Sequence, residues 1–276
     1  MVDVYAYKWF HFAHYVTRLC RLWGIPYIPI LHSYLLKEYI EQNSKPLRDI
    51  LIGSKTVVCP SDFFKNLLVK LSLPVRVIPN PVHTSLLPFN PITEIKSPRL
   101  IWVRNLHPKY NPEMAIMVLS QLHKQYPGAS LTMVGPSTPA YLTHLKNQCQ
   151  QLDLQQHITF AGKLSTAEWV SLSRSHNLFI NTSTIDNAPL SLIEAASLGL
   201  PIVSTNVGGI PILFEHGREA LLSPNGDSTS MTKNILSLIQ SPDVLQQMVN
   251  AAKAKAQTCD IDEVTRQWIT LIEPKK

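Results

Sequence analysis

The stretch DNAPLSLIEAASLGLPIVSTNVGGIP, residues 186–211, decides how this part of the chain folds. Small and apolar residues between Pro189 and Gly199 predict a short helix over about 189–198. Asp186, Asn187 or Ala188 would cap its start. Pro189 fits a first helical turn, and Gly199 can take the left-handed conformation that ends a helix. The run PIVSTN that follows predicts a strand, so the stretch is one helix-to-strand unit of a parallel sheet.

The same alternation of strands and helices extends through residues 97–276. Strands are predicted near 99–104, 130–135, 157–162, 177–183, 201–206 and 219–223. The capping box formed by Ser165 and Glu168 begins one of the intervening helices. Six strands with crossover helices make a complete doubly wound, Rossmann-like α/β domain.

Residues 1–96 show the same rhythm with fewer units. Strands are predicted near 3–7, 26–31, 56–59 and 75–79, and no glycine-rich turn precedes the first of them. We therefore expect a partial Rossmann-like domain over 1–96, with the proline-containing segment 83–98 as the linker.

Glu194 is the only charged residue between Asp186 and Glu215. An unpaired buried carboxylate would cost several kcal/mol, so we expect Glu194 to be solvated at a cleft or hydrogen-bonded. The alternative is a helix glutamate that simply faces water. The helix should point its N-terminus, with unpaired N–H groups, toward a ligand crevice at the carboxyl ends of the strands.

This segment resembles the paired-acid motif of the family-four, GT-B-fold retaining glycosyltransferases, in which two acids are separated by seven residues. The resemblance implies that Glu194 holds the ribose of a nucleotide and that Asp186 contacts the donor sugar. The adjoining residues implied in donor binding are Asn187, Ala188, Pro189 and Leu190. Asp186 is one methylene shorter than the more common glutamate, and Asn187 stands where glycine is common.

Two cations follow the first predicted strand of this domain. Arg104 and Lys109, five residues apart, resemble the pair that clamps the donor diphosphate in the same family. Fixed cations stabilise the negative charge of a departing nucleoside diphosphate without a metal. Further positions that match the family's donor site are Gly135, Lys163, Leu164, Gly208 and Gly209.

In the front part, His32 at the end of PYIPILH resembles a cleft histidine, although a strand-end histidine is more often an ordinary satisfied polar residue.

The composition indicates a folded protein with a basic front part. Of 276 residues 45% are hydrophobic and 16% charged, and the net charge is +6. Residues 1–96 carry 11 Lys and Arg against 6 Asp and Glu. Such a surface could attract an anionic membrane face or a phosphorylated acceptor, or could simply be solvated. Nucleic-acid binding is not indicated, because no basic run is interleaved with aromatic residues.

The cysteines and the N-terminus give no sign of secretion. Four separated cysteines without a CxxC pair suggest neither a zinc site nor a disulfide framework, and a cytoplasmic location suits them. The first 15 residues lack the apolar core of a signal peptide, and no run reaches the roughly 20 apolar residues of a membrane span. Any membrane contact is therefore expected to be peripheral.

The resemblance implies transfer of a sugar from a nucleoside diphosphate sugar to a hydroxyl of a glycan, a lipid or another acceptor, with retention and without a cofactor or metal. Relative to that family, about half of the acceptor domain is missing, so a partner chain could complete it. The main alternative is a non-catalytic nucleotide-sugar-binding subunit or remnant. A nicotinamide-dependent dehydrogenase is less favoured because no GxGxxG follows the first strand of either domain, and an epimerase with the same fold stays open.

Overall fold

The structure is a computed structural model that describes residues 1–6, 8–33, 36–42, 44–68 and 73–273. The chain forms two compact units. The first contains Met1–Pro81, Asp186–Ala188 and the C-terminal segment from Asp262, and the second contains Val82–Ile185 and Pro189–Ile261.

Within the described residues, the first unit contains a four-stranded parallel sheet in the order β1-β2-β3-β4. The strands are β1 (Val2–Val4), β2 (Pro29–Leu31), β3 (Val57–Cys59) and β4 (Val75–Val77). The helices between them are α1 (Lys8–Leu22), α2 (Leu36–Glu41), α3 (Lys45–Leu51) and α4 (Asp62–Leu68). A strand is present at each of the four predicted positions, with apolar side chains that pack between the sheet and these helices. The first strand is Val2–Val4, and residue 7 of its predicted range 3–7 lies outside the described residues.

The second unit is a six-stranded, wholly parallel sheet in the order β10-β9-β8-β5-β6-β7, all within described residues. Its strands are β5 (Arg99–Val103), β6 (Ser130–Val134), β7 (Ile158–Gly162), β8 (Leu178–Asn181), β9 (Ile202–Thr205) and β10 (Leu221–Ser223). Its helices are α5 (Pro112–His123), α6 (Pro139–Gln151), α7 (Thr166–Ser173), α8 (Leu190–Leu198), α9 (Ile210–Leu213), α10 (Ser228–Gln240) and α11 (Pro242–Gln257). The prediction of a complete doubly wound domain is confirmed.

The helix predicted from the opening stretch is α8, and Gly199 ends it in the left-handed conformation at φ 88°. The predicted cap is wrong, because the N-cap residue is Pro189 and no side chain caps the helix. The N-terminal N–H groups of α8 are therefore not satisfied by a side-chain cap. The capping box of Ser165 and Glu168 is present at the start of α7, as predicted.

The two units differ from the predicted ranges 1–96 and 97–276 in three places, one of which is the grouping of Asp186–Ala188 with the first unit. Residues 82–96 group with the second unit, where Leu87 and Ile95 are buried in its core. The last helix, α12 (Ile261–Ile272), groups with the first unit apart from its first residue. Its buried Val264 packs in a cluster with Ile28 and Ile30.

The segment predicted to be a linker is held to the second unit by its backbone. The Asn90 N–H donates to the Leu198 carbonyl, and the Ile92 N–H donates to the Gly199 carbonyl. These bonds fix the C-terminal end of α8. Among the described helices, none is long and apolar enough to cross a membrane.

Candidate functional site

Threonines after β8 connect the two loops that carry the predicted charged residues of the second unit. The Thr182 hydroxyl accepts a hydrogen bond from the Trp102 indole N–H at 2.9 Å. It donates to the carbonyls of Tyr110 and Asn111, which lie 2.9 and 2.8 Å away. The segment after β8 and the loop after β5 are therefore held together at the carboxyl edge of the sheet.

Thr184, two residues further along the chain, makes a similar connection. Its N–H and its hydroxyl both donate to the carbonyl of Lys109, at 3.0 and 2.9 Å. The loop after β5 is also fixed internally, since the Lys109 N–H donates to the His107 ring nitrogen Nδ1 at 3.2 Å. Asn111, at φ 48°, then caps α5. The backbone that carries the predicted cations is thus rigidly placed.

The two predicted cations meet on one aromatic ring. The guanidinium carbon of Arg104 lies 5.2 Å from the ring centroid of Tyr110, and the Lys109 ammonium lies 5.4 Å from it. Cation–π attraction holds both charges near the ring. The loop therefore presents two positive groups that could bind the oxygens of a diphosphate.

Glu194 lies half-buried on α8. Burial raises the pKa of its carboxyl group, and the positive charge of Arg104 acts in the opposite direction. The carboxylate is therefore within electrostatic reach of the cation loop. Arg104 thus links the two predictions, because its charge acts on Glu194 and it shares the Tyr110 ring with Lys109.

Asp186, Asn187 and Ala188 group with the first unit, where Ser61 and Asn80 bind the last two of them. Ser61 donates to the Asn187 side-chain oxygen at 2.6 Å. The Asn187 N–H donates to the Asp186 carboxylate at 3.0 Å, and Asn80 donates to the Ala188 carbonyl at 3.4 Å. The Asn187 oxygen is thus used within the protein, which gives this residue a structural role that the sequence did not indicate.

The backbone packing around position 135 explains why this residue is glycine, without any need for nucleotide contact. A Cβ atom built there would lie 1.7 Å from the Arg104 carbonyl oxygen, at φ +148°. Only glycine lets the backbone of the cation loop approach so closely. Gly135 therefore places Arg104, whatever else it contacts.

The other predicted donor-site positions have varied surroundings. Lys163 is exposed, whereas Leu164 packs against the core of the second unit. Gly208 takes a positive φ of 57°, and Gly209 is the N-cap of the short helix α9. Leu190, the first residue of α8, is exposed.

His32 lies in the first unit and has protein partners. Its Nε2 is 2.9 Å from the Asp3 carboxylate, and its ring stacks on Tyr5 at 5.0 Å between centroids. Burial and the nearby Asp3 charge raise the pKa of Tyr5. These contacts fit an anchored strand-end histidine, and a contact with substrate stays a prediction.

Sequence reasoning missed Tyr110, Thr182 and Thr184, which organise the cation loop of the second unit, and it missed Asp3, which binds His32 in the first unit. One signal was available in the run NTST, residues 181–184, because consecutive polar residues directly after a buried strand are typical of a ligand edge. The pairing of Tyr110 with two cations had no such local signal.

We next compared the sequence of the chain with models of known protein families. The model described as glycosyl transferases group 1 matches residues 89–255 of the chain. The chain belongs to the glycosyl transferases group 1 family. The matched residues include Glu194, Arg104 and Lys109.

Curated relatives of this group 1 chain include a glycosyltransferase and a glycogen synthase. An uncharacterized glycosyltransferase of Haemophilus influenzae is 27% identical over 192 residues, covering 69% of this chain and 53% of the relative. Glycogen synthase of Mycobacterium tuberculosis is 22% identical over 272 residues, covering 94% and 65%. The chain thus spans about half of the first relative and 65% of the second.

Solved structures confirm the predicted GT-B-like fold of this group 1 chain. Anabaena HepE in complex with UDP superposes with a TM-score of 0.82 at 21% identity, covering 95% of this chain and 76% of that one. Sucrose-phosphate synthase from Thermosynechococcus elongatus gives 0.79 at 19% identity, covering 94% and 70%.

Proposed function

We propose that this chain transfers a sugar from a nucleoside diphosphate sugar to an acceptor hydroxyl, with retention at the anomeric carbon. The observation that carries the proposal is that Arg104, whose charge acts on the half-buried Glu194, shares the Tyr110 ring with Lys109 in the loop at the carboxyl end of β5. Membership of a glycosyltransferase family supports the transferase class.

The donor would bind through opposite charges and hydroxyl groups. Glu194 would accept hydrogen bonds from the ribose hydroxyls, which would offset the cost of its buried charge. Arg104 and Lys109 would hold the diphosphate. The HepE structures with UDP and with UDP-glucose support a uridine donor as the first one to test.

The proposed reaction balances without a covalent intermediate on the protein. The bond from the anomeric carbon to the β-phosphate oxygen breaks, and a bond from that carbon to the acceptor oxygen forms on the same face. The acceptor proton passes to the departing phosphate oxygen. Arg104 and Lys109 would stabilise the charge that develops on the leaving group, so a metal ion is not required for that task. Asp186 would position hydroxyls of the donor sugar.

The acceptor is proposed only as a class, a hydroxyl of a glycan, a lipid or another small molecule. The first unit would provide its site, with His32 and Asp3 as candidate polar contacts. A partner chain that completes this unit belongs to the same proposal.

Turnover of UDP-glucose tests the proposal. The chain would be incubated with UDP-glucose in water and with sugar and diacylglycerol acceptors, and proton NMR would follow UDP release and the anomer formed. We expect an α-linked product, and loss of UDP release in Arg104→Ala. A β-linked product would contradict retention. Donor binding without any release would instead assign the non-catalytic nucleotide-sugar-binding role.

A further inference from the structure

Helix α1 exposes a continuous apolar surface, here called the aromatic face. Its members are Trp9, Phe12, Tyr15, Leu19, Leu22 and Trp23. All of them except Leu19 are between 61% and 71% exposed. Scattered exposed apolar residues are ordinary, but a contiguous set of this size marks an interaction surface.

The helix is already packed on its other side. Phe10, Ala13 and Thr17 are buried, and α1 packs against α3 and β1. At about 100° per residue, the aromatic face covers an arc of roughly 140° that excludes these three positions. Trp9 and Phe12 also contact each other edge to face, with centroids 6.4 Å apart. The aromatic face is therefore a formed surface of the first unit.

The charged residues of α1 itself all have one sign. Lys8 begins the helix, and the exposed Arg18 lies one helical turn before Leu22, at the border of the aromatic face. Lys8–Leu22 contains no Asp or Glu. An approaching anionic surface would meet cations that attract it and no carboxylate of this helix that must be desolvated.

The residue types favour a bilayer over a polypeptide as the occupant. Tryptophan and tyrosine rings are enriched at membrane–water interfaces, and a helix with cations beside an aromatic face lies in the plane of that interface. The 15 residues of α1 span only about 22 Å and so cannot cross the hydrocarbon core. We propose that α1 is an interfacial helix that seats the first unit on an anionic membrane surface through the aromatic face and its flanking cations.

This inference does not depend on transferase chemistry, because its readout is vesicle binding. The chain would be sedimented with phosphatidylcholine vesicles and with vesicles that contain about 30% phosphatidylglycerol. We expect binding to the anionic vesicles that weakens as salt rises from about 0.1 M to about 0.5 M.

Paired variants separate the apolar from the charged contribution. Trp9→Ala with Trp23→Ala should weaken binding about tenfold or more, because both rings lose apolar burial in the lipid. Leu86→Ala is the matched control, since it removes an equally exposed apolar side chain from the second unit. Lys8→Gln with Arg18→Gln should reduce the preference for anionic lipid, whereas Lys124→Gln should not.

Direct contact is read from tryptophan fluorescence with brominated lipid. Trp9 and Trp23 are exposed, whereas Trp102 and Trp169 are buried. Quenching in the wild type should fall in Trp9→Phe with Trp23→Phe, variants that circular dichroism should show to be folded.

Three results would overturn the proposal. They are no vesicle binding, equal binding to neutral and anionic vesicles, and binding that the α1 variants leave unchanged. A dimer in sedimentation equilibrium that the Trp9→Ala and Trp23→Ala changes dissociate, without vesicle binding, would assign the face to a second copy of the chain.

Discussion

Glu194 places a carboxylate where its charge is unfavourable for the folded state. Burial raises its pKa, and the Arg104 charge offsets only part of that effect. A group whose charged form is destabilised by burial, within electrostatic reach of an arginine, is characteristic of a ligand site. The unfavourable energy would be recovered when a ligand supplies hydrogen-bond donors.

Glu194→Gln should change the pH dependence of stability. A folded-state pKa above the unfolded value of about 4.5 means that the native state holds the proton more tightly. The contribution of this group is therefore fully present below that pH and is lost as pH rises through the folded pKa. Relative to wild type, the variant should gain thermal stability between pH 4 and pH 7. A variant that instead loses stability over this range would contradict the assignment.

Gly135→Ala should be strongly destabilising. The new Cβ would meet the Arg104 carbonyl oxygen at 1.7 Å, so the backbone must shift, at a cost of about 3 kcal/mol or more. Gly226→Ala is the matched control, because Gly226 has φ +79° but open space around the added atom. The control should cost only about 1–2 kcal/mol. Thermal denaturation compares them, and equal losses would show that backbone strain alone explains Gly135.

At the scale of elements, the connection between the loops after β5 and β8 determines where the cations lie. Features of the fold that depend on residues close together in the chain were predictable from the sequence. Gly199 and the capping box at Ser165 act within a few residues, so their roles were visible in the sequence. Tyr110 and Thr182 act across about 70 residues of chain, and such pairings depend on the order of strands in the sheet.

Thr182→Val should weaken nucleotide binding through the position of this loop. The change keeps the shape of the side chain but leaves the buried Trp102 N–H without its acceptor, at a cost of about 1–3 kcal/mol. Thr132→Val is the control. Thr132 lies on β6 of the same sheet, and its hydroxyl bonds His176 rather than the loop after β5. Both variants should lose stability, but only Thr182→Val should lose UDP affinity by calorimetry. Equal affinities would show that the connection does not position the cations.

At the scale of the whole molecule, the chain returns to its first unit after completing the second. Val264, Trp268 and Leu271 repeat at helical spacing, so a helix with one apolar side was readable from sequence. The sequence did not show which surface this helix packs against, because an apolar stripe can pack against any complementary surface. For the same reason the predicted boundary at residues 96 and 97 could not anticipate the grouping of 186–188 with the first unit.

The fold class was predictable because strands and helices alternate over nearly the whole chain, and a parallel sheet is the packing that this alternation permits. The charged residues of the site were predictable because few charges interrupt the apolar runs. What each of these charged residues binds could not be predicted in this way, because that depends on the groups of the bound donor.

Calorimetric titration of UDP into the wild type, Glu194→Gln and Arg104→Ala tests the central claim most directly. Loss of a hydrogen bond to a charged group should weaken binding about tenfold to a hundredfold in each variant. Glu215→Gln, which changes an exposed carboxylate of the same unit, should bind as the wild type does. Unchanged UDP affinity in both Glu194→Gln and Arg104→Ala would contradict a donor site at this edge of the sheet.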